Sequence, residues 1–435
     1  MKTRILNWFN LPHRLMWLWL SIGFFGLFLL SPVKSKPYGD GDFHIEAKAL
    51  VSFVSGNAPF DIVSVSKAPG PVLFYAIPYY LAGDHSSDDQ KLLFARIWMC
   101  LLIALMHYLI YGAFVKDCGT VTANVFMVFT FIIPLHIYYS MGIWAEPMAY
   151  LALLLIIFGF LKKDGDRFPF FFYLGLLLLV LTRPNSILTI PFLLILSLVF
   201  KRKLKTMNHR KFRIGLIFVG FAVLLVGTIV KQLPNSRVTI YQDDYFSYVQ
   251  HIGRFQYRNE TWDWRFWDSK TRAGSQDFLD YKVSSDSLLN VVNNKGVSFS
   301  EAFGYWVWQD IFDHPFMTLK QFFIRVASGH VLQVSSVSYD KEYFGVSGKV
   351  IFWTFHLIMN LLNISILCFA VLLFIKGDIN ELYLLLLGII VSILLFHGFV
   401  YMEQRYIFPI RVLYLFFGSV YIGRILDSYV NKTKI

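Results

Sequence analysis

LMWLWLSIGFFGLFLLSPV, residues 15–33, contains no charged side chain, and YGDGDFH, residues 38–44, follows soon after it. An apolar helix of roughly 20 residues crosses a bilayer core of about 30 Å. The acidic stretch is followed by KAPGP, residues 67–71, before the next long apolar run begins. This order predicts a first membrane helix that is followed, at the membrane surface, by two carboxylates, those of Asp40 and Asp42.

The composition of the whole chain is that of an integral membrane protein. Hydrophobic residues make up 56% of the 435 and charged residues only 16%, a balance more apolar than that of soluble globular domains. The sequence predicts an all-α membrane protein with about ten membrane helices, because that many apolar runs recur between charged residues. The runs lie at 15–33, 97–115, 118–145, 147–161, 168–182, 184–200, 214–230, 350–375, 382–402 and 406–423.

Lysine and arginine are concentrated in alternate loops and at both ends of the chain. Because cytoplasmic loops carry an excess of these residues, we expect both termini in the cytoplasm and the protein in the cytoplasmic (inner) membrane. The net charge of +12 follows from this bias, so no nucleic-acid partner is expected. Segment 70–83 is interpreted as interfacial or re-entrant, since a crossing there would invert every later loop.

The apolar runs divide the chain into consecutive segments. The long extracytoplasmic segment is the only stretch with room for a soluble subdomain. The segments are 1–33 (N-terminal tail and first membrane helix), 34–96 (first extracytoplasmic loop), 97–230 (six membrane helices), 231–349 (long extracytoplasmic loop or subdomain) and 350–435 (three membrane helices and a cytoplasmic tail).

The first loop predicts an amphipathic helix that lies on the outer leaflet. Its apolar residues recur at helical spacing opposite polar ones. Asp40 and Asp42 come at the start of this helix, where an ordinary N-cap role competes with a chemical one. The apolar side consists of Phe43, Ala47, Leu50, Val51 and Val54, and the polar side of Glu46, Lys48 and Ser52.

Five short motifs follow one another in the membrane part of the chain. They are Gly39-Asp40-Gly41-Asp42, Ala68-Pro69-Gly70-Pro71, Trp144-Ala145-Glu146-Pro147, Leu181-Thr182-Arg183-Pro184 and Glu403-Gln404-Arg405-Tyr406. With this ordered set the chain resembles the GT-C fold membrane glycosyltransferases over most of its membrane portion. The nearer likeness is to compact bacterial members that modify O-antigen or other surface polysaccharides, including serotype-converting glucosyltransferases.

The resemblance implies a sugar donor, glucose or another hexose on polyprenyl phosphate, and transfer to a hydroxyl of an extracytoplasmic glycan such as O-antigen. It also implies an active site on the periplasmic or outer face. Members of the family carry an essential acidic residue in the first outer loop, which maps onto Asp40 or Asp42. The chain lacks the Asp-Glu pair and the large inserted domain of protein O-mannosyltransferases, so protein mannosylation is not implied.

The chemistry of glycosyl transfer gives these residues distinct roles. Direct attack by an acceptor hydroxyl needs a carboxylate base within about 2.6–3.2 Å. Asp40 is the first candidate for this base and Asp42 the second. The departing lipid phosphate needs positive charge rather than an acid. Candidates for holding it are Arg405, Arg411 (about 9 Å deeper on the same predicted helix), Arg183 and Lys67.

Other residues are expected to position donor and acceptor. Glu146 opens a predicted membrane helix, where it braces an arginine or orients the acceptor. The alternatives for Arg411 are snorkelling to the interface and pairing with Glu403 or Glu146. Aromatic residues of the long outer segment suit stacking on sugar rings, although most are expected to form a small core and an interfacial belt. The positioning residues are Glu146, Glu403, Tyr406, Trp262 and Trp306.

No metal and no cofactor is predicted. The three cysteines lie far apart, and the histidines lack any paired spacing. A divalent cation held by Asp40 and Asp42 is the alternative.

A different class of protein shares much of this pattern. A polysaccharide polymerase, or a flippase or transporter of lipid-linked glycans, would also have about ten spans, a large outer loop and outer arginines. Against a transporter, the charges lie at the outer interface rather than at mid-membrane. Against a polymerase, the acidic motif after the first span has no evident task.

Overall fold

The computed structural model describes most of the chain. Within the described ranges the residues form helices, short connections and one antiparallel pair of short strands, β1 (Glu342–Tyr343) and β2 (Val346–Ser347). The predicted all-α class is therefore confirmed for these ranges. They are 12–30, 41–57, 69–83, 85–132, 145–162, 170–201, 208–232, 243–259, 274–331, 342–343, 346–376, 383–401, 404–407 and 409–432.

The chain divides into two compact units. Unit 1 comprises Met1–Ile240, Leu332–Ile390 and Phe408–Ile435. Its helices are α1 (Arg14–Leu30), α2 (Gly41–Val54), α3 (Pro69–Ala82), α4 (Asp88–Cys118), α5 (Thr120–Ile132), α6 (Ala145–Leu161), α7 (Phe170–Thr182), α8 (Thr189–Val199), α9 (His209–Gln232), α14 (Gly348–Ile375) and α17 (Arg411–Lys432), with a 3-10 turn at Pro184–Leu188.

Unit 2 comprises Tyr241–Val331 and Val391–Ile407. Most of it comes from the long segment in which a soluble subdomain is expected. Helix α15 (Tyr383–Phe399) contributes residues to both units. The remaining helices of unit 2 are α10 (Asp243–Phe255), α11 (Gln276–Lys295), α12 (Phe299–Asp313), α13 (Pro315–His330) and α16 (Gln404–Ile407).

Two helical stretches of the described chain are long and apolar enough to cross a membrane. They are α4, with 31 residues, and His356–Ile375 within α14. Helices also lie in the other apolar runs, several of them shorter than 18 residues. These findings support association with a membrane, and the number of crossings stays a prediction.

Helix α4 has sequence signals at both ends. The Ser87 hydroxyl accepts from the Gln90 amide at 3.3 Å, and the Gln90 side chain accepts from the Ser87 amide at 3.0 Å. This reciprocal capping satisfies two amides that have no partner within the helix. The helix ends before Gly119, whose φ of 86° is unfavourable for other residues.

Polar side chains connect the helices of unit 1 inside its apolar core. Trp17 and Tyr111 both donate to the Asn124 side-chain oxygen, at 2.9 and 3.0 Å. The His107 ring bonds to Ser21 at 3.1 Å and to Tyr150 at 2.9 Å. Since a buried polar group is costly without a partner, these bonds favour one arrangement of α1, α4, α5 and α6.

The core of unit 2 is aromatic and charged. The His251 ring lies within 4.9 Å of Phe303 and 4.8 Å of Trp306, centroid to centroid. Beside it, the Asp310 carboxylate accepts from Arg254 at 2.6 Å and from Arg258 at 3.2 Å. Asp310 is therefore the buried ion-pair partner of two arginines.

A second buried arginine fixes the end of α15 in unit 2. The guanidinium of Arg325 is fully buried and donates to the carbonyl oxygens of Gly398 at 3.0 Å and Phe399 at 3.1 Å. It also donates to the carbonyl oxygen of Gly253 on α10. One side chain of α13 thus holds the last residues of α15 and the end of α10 together.

Candidate functional site

The first-loop helix forms as predicted, but its burial differs from the prediction in one respect. Helix α2 spans Gly41–Val54 and buries Phe43, Ala47 and Val51. Glu46, predicted on the solvent side, is only 2% exposed, so that prediction is wrong. The reason is that α2 packs on α3 with a wide face, which also includes His44 and Glu46.

Polar contacts hold α2 in place. The His44 Nδ1 lies 2.6 Å from the Tyr79 hydroxyl of α3, and its Nε2 lies 3.4 Å from the Asp88 carboxylate. The Lys48 ammonium donates to the same carboxylate at 2.7 Å. Burial lowers the pKa of His44, so its imidazole is neutral at pH 7. These contacts fix the first-loop helix, which carries Asp42 in its first turn.

The buried Glu46 carboxyl has no hydrogen-bond partner for either oxygen in the part of the chain that the structure describes. Burial raises the pKa of Glu46 to about 8, because a charged carboxylate is disfavoured in apolar surroundings. The group therefore holds a proton near neutral pH. A buried polar atom that remains unsatisfied is uncommon and calls for a functional or structural explanation.

This pKa predicts a pH-dependent stability. Below the unfolded pKa of 4.5 both states are protonated. From there up to the folded pKa the unfolded state alone ionises, so the free energy of unfolding falls, by about 3 kcal/mol at pH 7. We expect Glu46→Gln, which mimics the protonated acid, to raise the melting temperature in detergent at pH 8 and hardly at pH 5. The exposed Glu301→Gln is the control, and an equal shift at both pH values would contradict the prediction.

Three of the five sequence motifs meet in unit 1. Gly70, near the start of α3, packs against the end of α7, where a Cβ would lie 2.7 Å from the Leu181 carbonyl oxygen and 3.0 Å from the Thr182 nitrogen. Arg183, the next residue, forms an ion pair with Glu146 in the first turn of α6. The motifs around residues 70, 146 and 183 therefore form one cluster. Packing between the helices brings them together, since they are far apart in the sequence.

The close approach at Gly70 can be tested by substitution. Gly70→Ala would place its methyl group against the backbone of α7, so we expect a loss of about 1–3 kcal/mol in the free energy of unfolding. Gly23→Ala, which meets no atom within 4 Å, is the matched control in α1. Equal stability of both variants in thermal unfolding would show that α3 does not pack in this way.

The ion pair of Glu146 and Arg183 uses only one of the two carboxylate oxygens of Glu146. Glu146 is buried, and one of its carboxylate oxygens accepts from Arg183. The other oxygen has no partner among the described residues. Arg183 stays 14% exposed at the start of the 3-10 turn. Glu146 thus braces an arginine, which is one of the two roles that the sequence predicts for it. Its second carboxylate oxygen could accept a further hydrogen bond.

Arg405 and Arg411 lie on different helices, so the expectation of one continuous helix is wrong. Arg405 belongs to the short helix α16 in unit 2, whereas Arg411 begins α17 in unit 1. Pro409 lies between the two helices. Proline has no amide hydrogen to donate, so it interrupts a continuing helix, but it is tolerated where a new helix begins. The side chain of Arg411 is buried.

The predicted aromatic residues lie in unit 2. The Trp306 ring is half-buried and stacks on Phe255 with centroids 5.5 Å apart. The Tyr406 ring stacks on His397 at 4.8 Å. Asp42 and Arg405 are located by their helical backbones alone. The other predicted site residues lie outside the described residues: Asp40, Lys67, Trp262 and Glu403.

No group of three or more potential metal ligands occurs among the described His, Cys, Asp and Glu residues. Asp40 falls outside that set, so the alternative of a divalent cation at Asp40 and Asp42 stays open. Comparison with known proteins adds no further assignment: no protein-family model, curated protein or solved structure matches the chain.

The sequence itself contains a signal that Glu46 is buried. Glu46 is three positions after Phe43 and four before Leu50, which puts it on the apolar stripe of the helix as much as on its polar side. The charge of Glu46 outweighed that spacing in the prediction. The buried pair of Arg254 and Asp310 has no comparable signal, because the two residues are 56 positions apart.

Proposed function

We propose that the protein is a membrane glycosyltransferase that moves a hexose from a polyprenyl-phosphate carrier to a hydroxyl of an extracytoplasmic glycan. It would reside in the cytoplasmic membrane with both termini in the cytoplasm and its site on the outer face. Ten spans and a GT-C architecture are part of this proposal. The basic loops, the first-loop acids and the ordered motifs support it.

The observation that carries the proposal is the buried carboxyl of Glu46 on the first-loop helix. It lies one helical turn after Asp42 and holds a proton near neutral pH. Ionisable groups with strongly shifted pKa values are concentrated at functional sites. Asp42 and Glu46 thus lie on one short helix, and burial keeps the Glu46 carboxyl protonated at pH 7. Two carboxyls of this kind suit a site that transfers a proton.

The reaction that this set of residues supports is a single displacement. The acceptor hydroxyl oxygen attacks the anomeric carbon while the bond from that carbon to the phosphate oxygen breaks. The hydroxyl proton passes to the carboxylate of Asp40 or Asp42, and the lipid phosphate leaves as an anion. Inversion at the anomeric carbon follows from a single displacement.

The cluster around Glu146 and Arg183 supplies a candidate for holding the phosphate. Arg183 is partly exposed, and guanidinium groups bind phosphate in a bidentate manner. Glu146 holds that guanidinium in one orientation. Its second oxygen, which no described residue occupies, can accept from a sugar hydroxyl.

The proposal is tested by transfer from radiolabelled polyprenyl-phosphate hexoses. Membranes that contain the protein are compared with matched membranes that lack it, with glucose, galactose and mannose donors and a cell-envelope glycan acceptor. Label should enter the glycan only where the protein is present, and the freed lipid phosphate should appear in equal amount. If every donor fails while the protein changes glycan chain length or moves lipid-linked glycan across the membrane, a polymerase or a transporter replaces the proposal.

A further inference from the structure

Helix α13 buries its polar side chains and exposes its apolar ones. Thr318, Gln321 and Arg325 are buried at helical spacing, and the Gln321 amide donates to the carbonyl oxygens of Arg254 and Gln256. On the opposite side, Phe316 is 86% and Phe323 61% exposed. A helix of a water-soluble unit has the reverse arrangement, since apolar residues leave water when they pack against a core.

The preceding helix repeats part of this pattern. Tyr305, Trp308 and Phe312 of α12 are exposed at intervals of three and four residues. Aromatic side chains of this size rarely stay in water as a contiguous set, and an exposed patch of them marks a membrane or protein contact. Tyrosine and tryptophan in particular are enriched where a protein meets the boundary of the bilayer.

The position of α13 within unit 2 indicates which contact it is. Through Arg325 the helix is hydrogen-bonded to the last residues of the apolar helix α15, and the Phe322 ring lies 4.7 Å from that of Phe399. Leu395 and Phe399 of α15 are themselves exposed. The apolar side of α13 is therefore continuous with the exposed end of a helix whose composition suits a membrane interior.

We propose that α13 lies on the surface of the lipid bilayer, with the side chains of Phe316, Leu319 and Phe323 among the acyl chains. The exposed Lys320 beside Leu319 then reaches the phosphates of the headgroups, as amphipathic helices at membrane surfaces arrange their lysines. The bilayer covers the apolar stripe, which is defined as Phe316, Leu319 and Phe323. This inference is independent of the proposed sugar transfer.

The test places a nitroxide label on single cysteines of the full chain in bilayers of phosphatidylethanolamine and phosphatidylglycerol. Phe316→Cys and Phe323→Cys probe the stripe, and Asn290→Cys, on an exposed part of α11, is the water-facing control. These variants carry serine at the native cysteines. A fourth protein keeps only Cys368, which is exposed on the membrane-crossing stretch of α14, as the lipid-facing reference.

Collision rates with oxygen, which partitions into lipid, and with a water-soluble nickel chelate are then measured for each label. We expect the two stripe positions to match Cys368, with high oxygen and low nickel accessibility, and Asn290→Cys to show the opposite. Nickel accessibility equal to that of Asn290→Cys would overturn the proposal. Protection from both reagents would also overturn it, because it would show that protein rather than lipid covers the stripe.

Discussion

Sugar transfer is expected to fall by about 10²–10⁴-fold when the first-loop base is replaced by an isosteric amide, the range that general-base catalysis contributes. Asp40→Asn is the first variant and Asp42→Asn the second, because Asp40 directly precedes α2 in the sequence and Asp42 belongs to its first turn. An asparagine of the same shape cannot take the proton from the acceptor hydroxyl. The measurement is the initial rate of hexose transfer at matched expression, together with the KM for the donor.

The control for this experiment is Ser55→Asn, an exposed position just beyond the same helix. It should leave both the rate and the melting temperature unchanged. Loss of the rate in one aspartate variant with an unchanged KM identifies that residue as the base. Normal transfer by both aspartate variants would rule out the proposed mechanism, and essential outer arginines alongside dispensable aspartates would favour a polymerase.

Removal of Arg183 is expected to cost about 3–5 kcal/mol of folding stability, because Arg183→Met leaves the buried Glu146 carboxylate without its counter-ion. Replacement of both members, Arg183→Met with Glu146→Leu, should recover most of that loss, since an apolar pair of similar volume fits the same space. The measurement is denaturant or thermal unfolding of the purified protein in detergent.

The double variant also separates a structural role of the pair from a role in binding. If Arg183 holds the lipid phosphate, the stable double variant will still have a raised KM for the donor. If its KM equals that of the native chain, the pair only stabilises α6 and α7, and phosphate binding must be assigned elsewhere. A single variant as stable as the native chain would show that the two side chains are not paired in the folded protein.

Much of the helical layout could be read from the sequence, because a run of apolar residues between charged ones has few alternatives in a membrane. Helix α2 follows from the helical spacing of the apolar residues in the first loop. The interruption at Pro409 was missed, since an apolar run continues on both sides of it. A proline is tolerated near the start of a helix, and hydropathy alone does not reveal where a second helix starts.

The candidate site was predictable in its residue types and less so in its contacts. Glu146 and Arg183 stand out as charges at the ends of apolar runs, yet their pairing depends on the packing of α6 against α7. The burial of Glu46 depends on how much of α2 is covered by α3. Such facts arise from tertiary packing, which propensity and periodicity do not specify.

Arg325 has a consequence for the order in which the chain is made and folded. Two of its carbonyl acceptors, at Gly398 and Phe399, are synthesised 73 and 74 residues after it. Until these acceptors are present, burial of the guanidinium in the interior of unit 2 is unfavourable, because a buried charge needs hydrogen-bond partners. Unit 2 therefore completes its folding only after α15 has been synthesised, and a ribosome-bound chain that stops before residue 391 would leave Arg325 of α13 without these two acceptors.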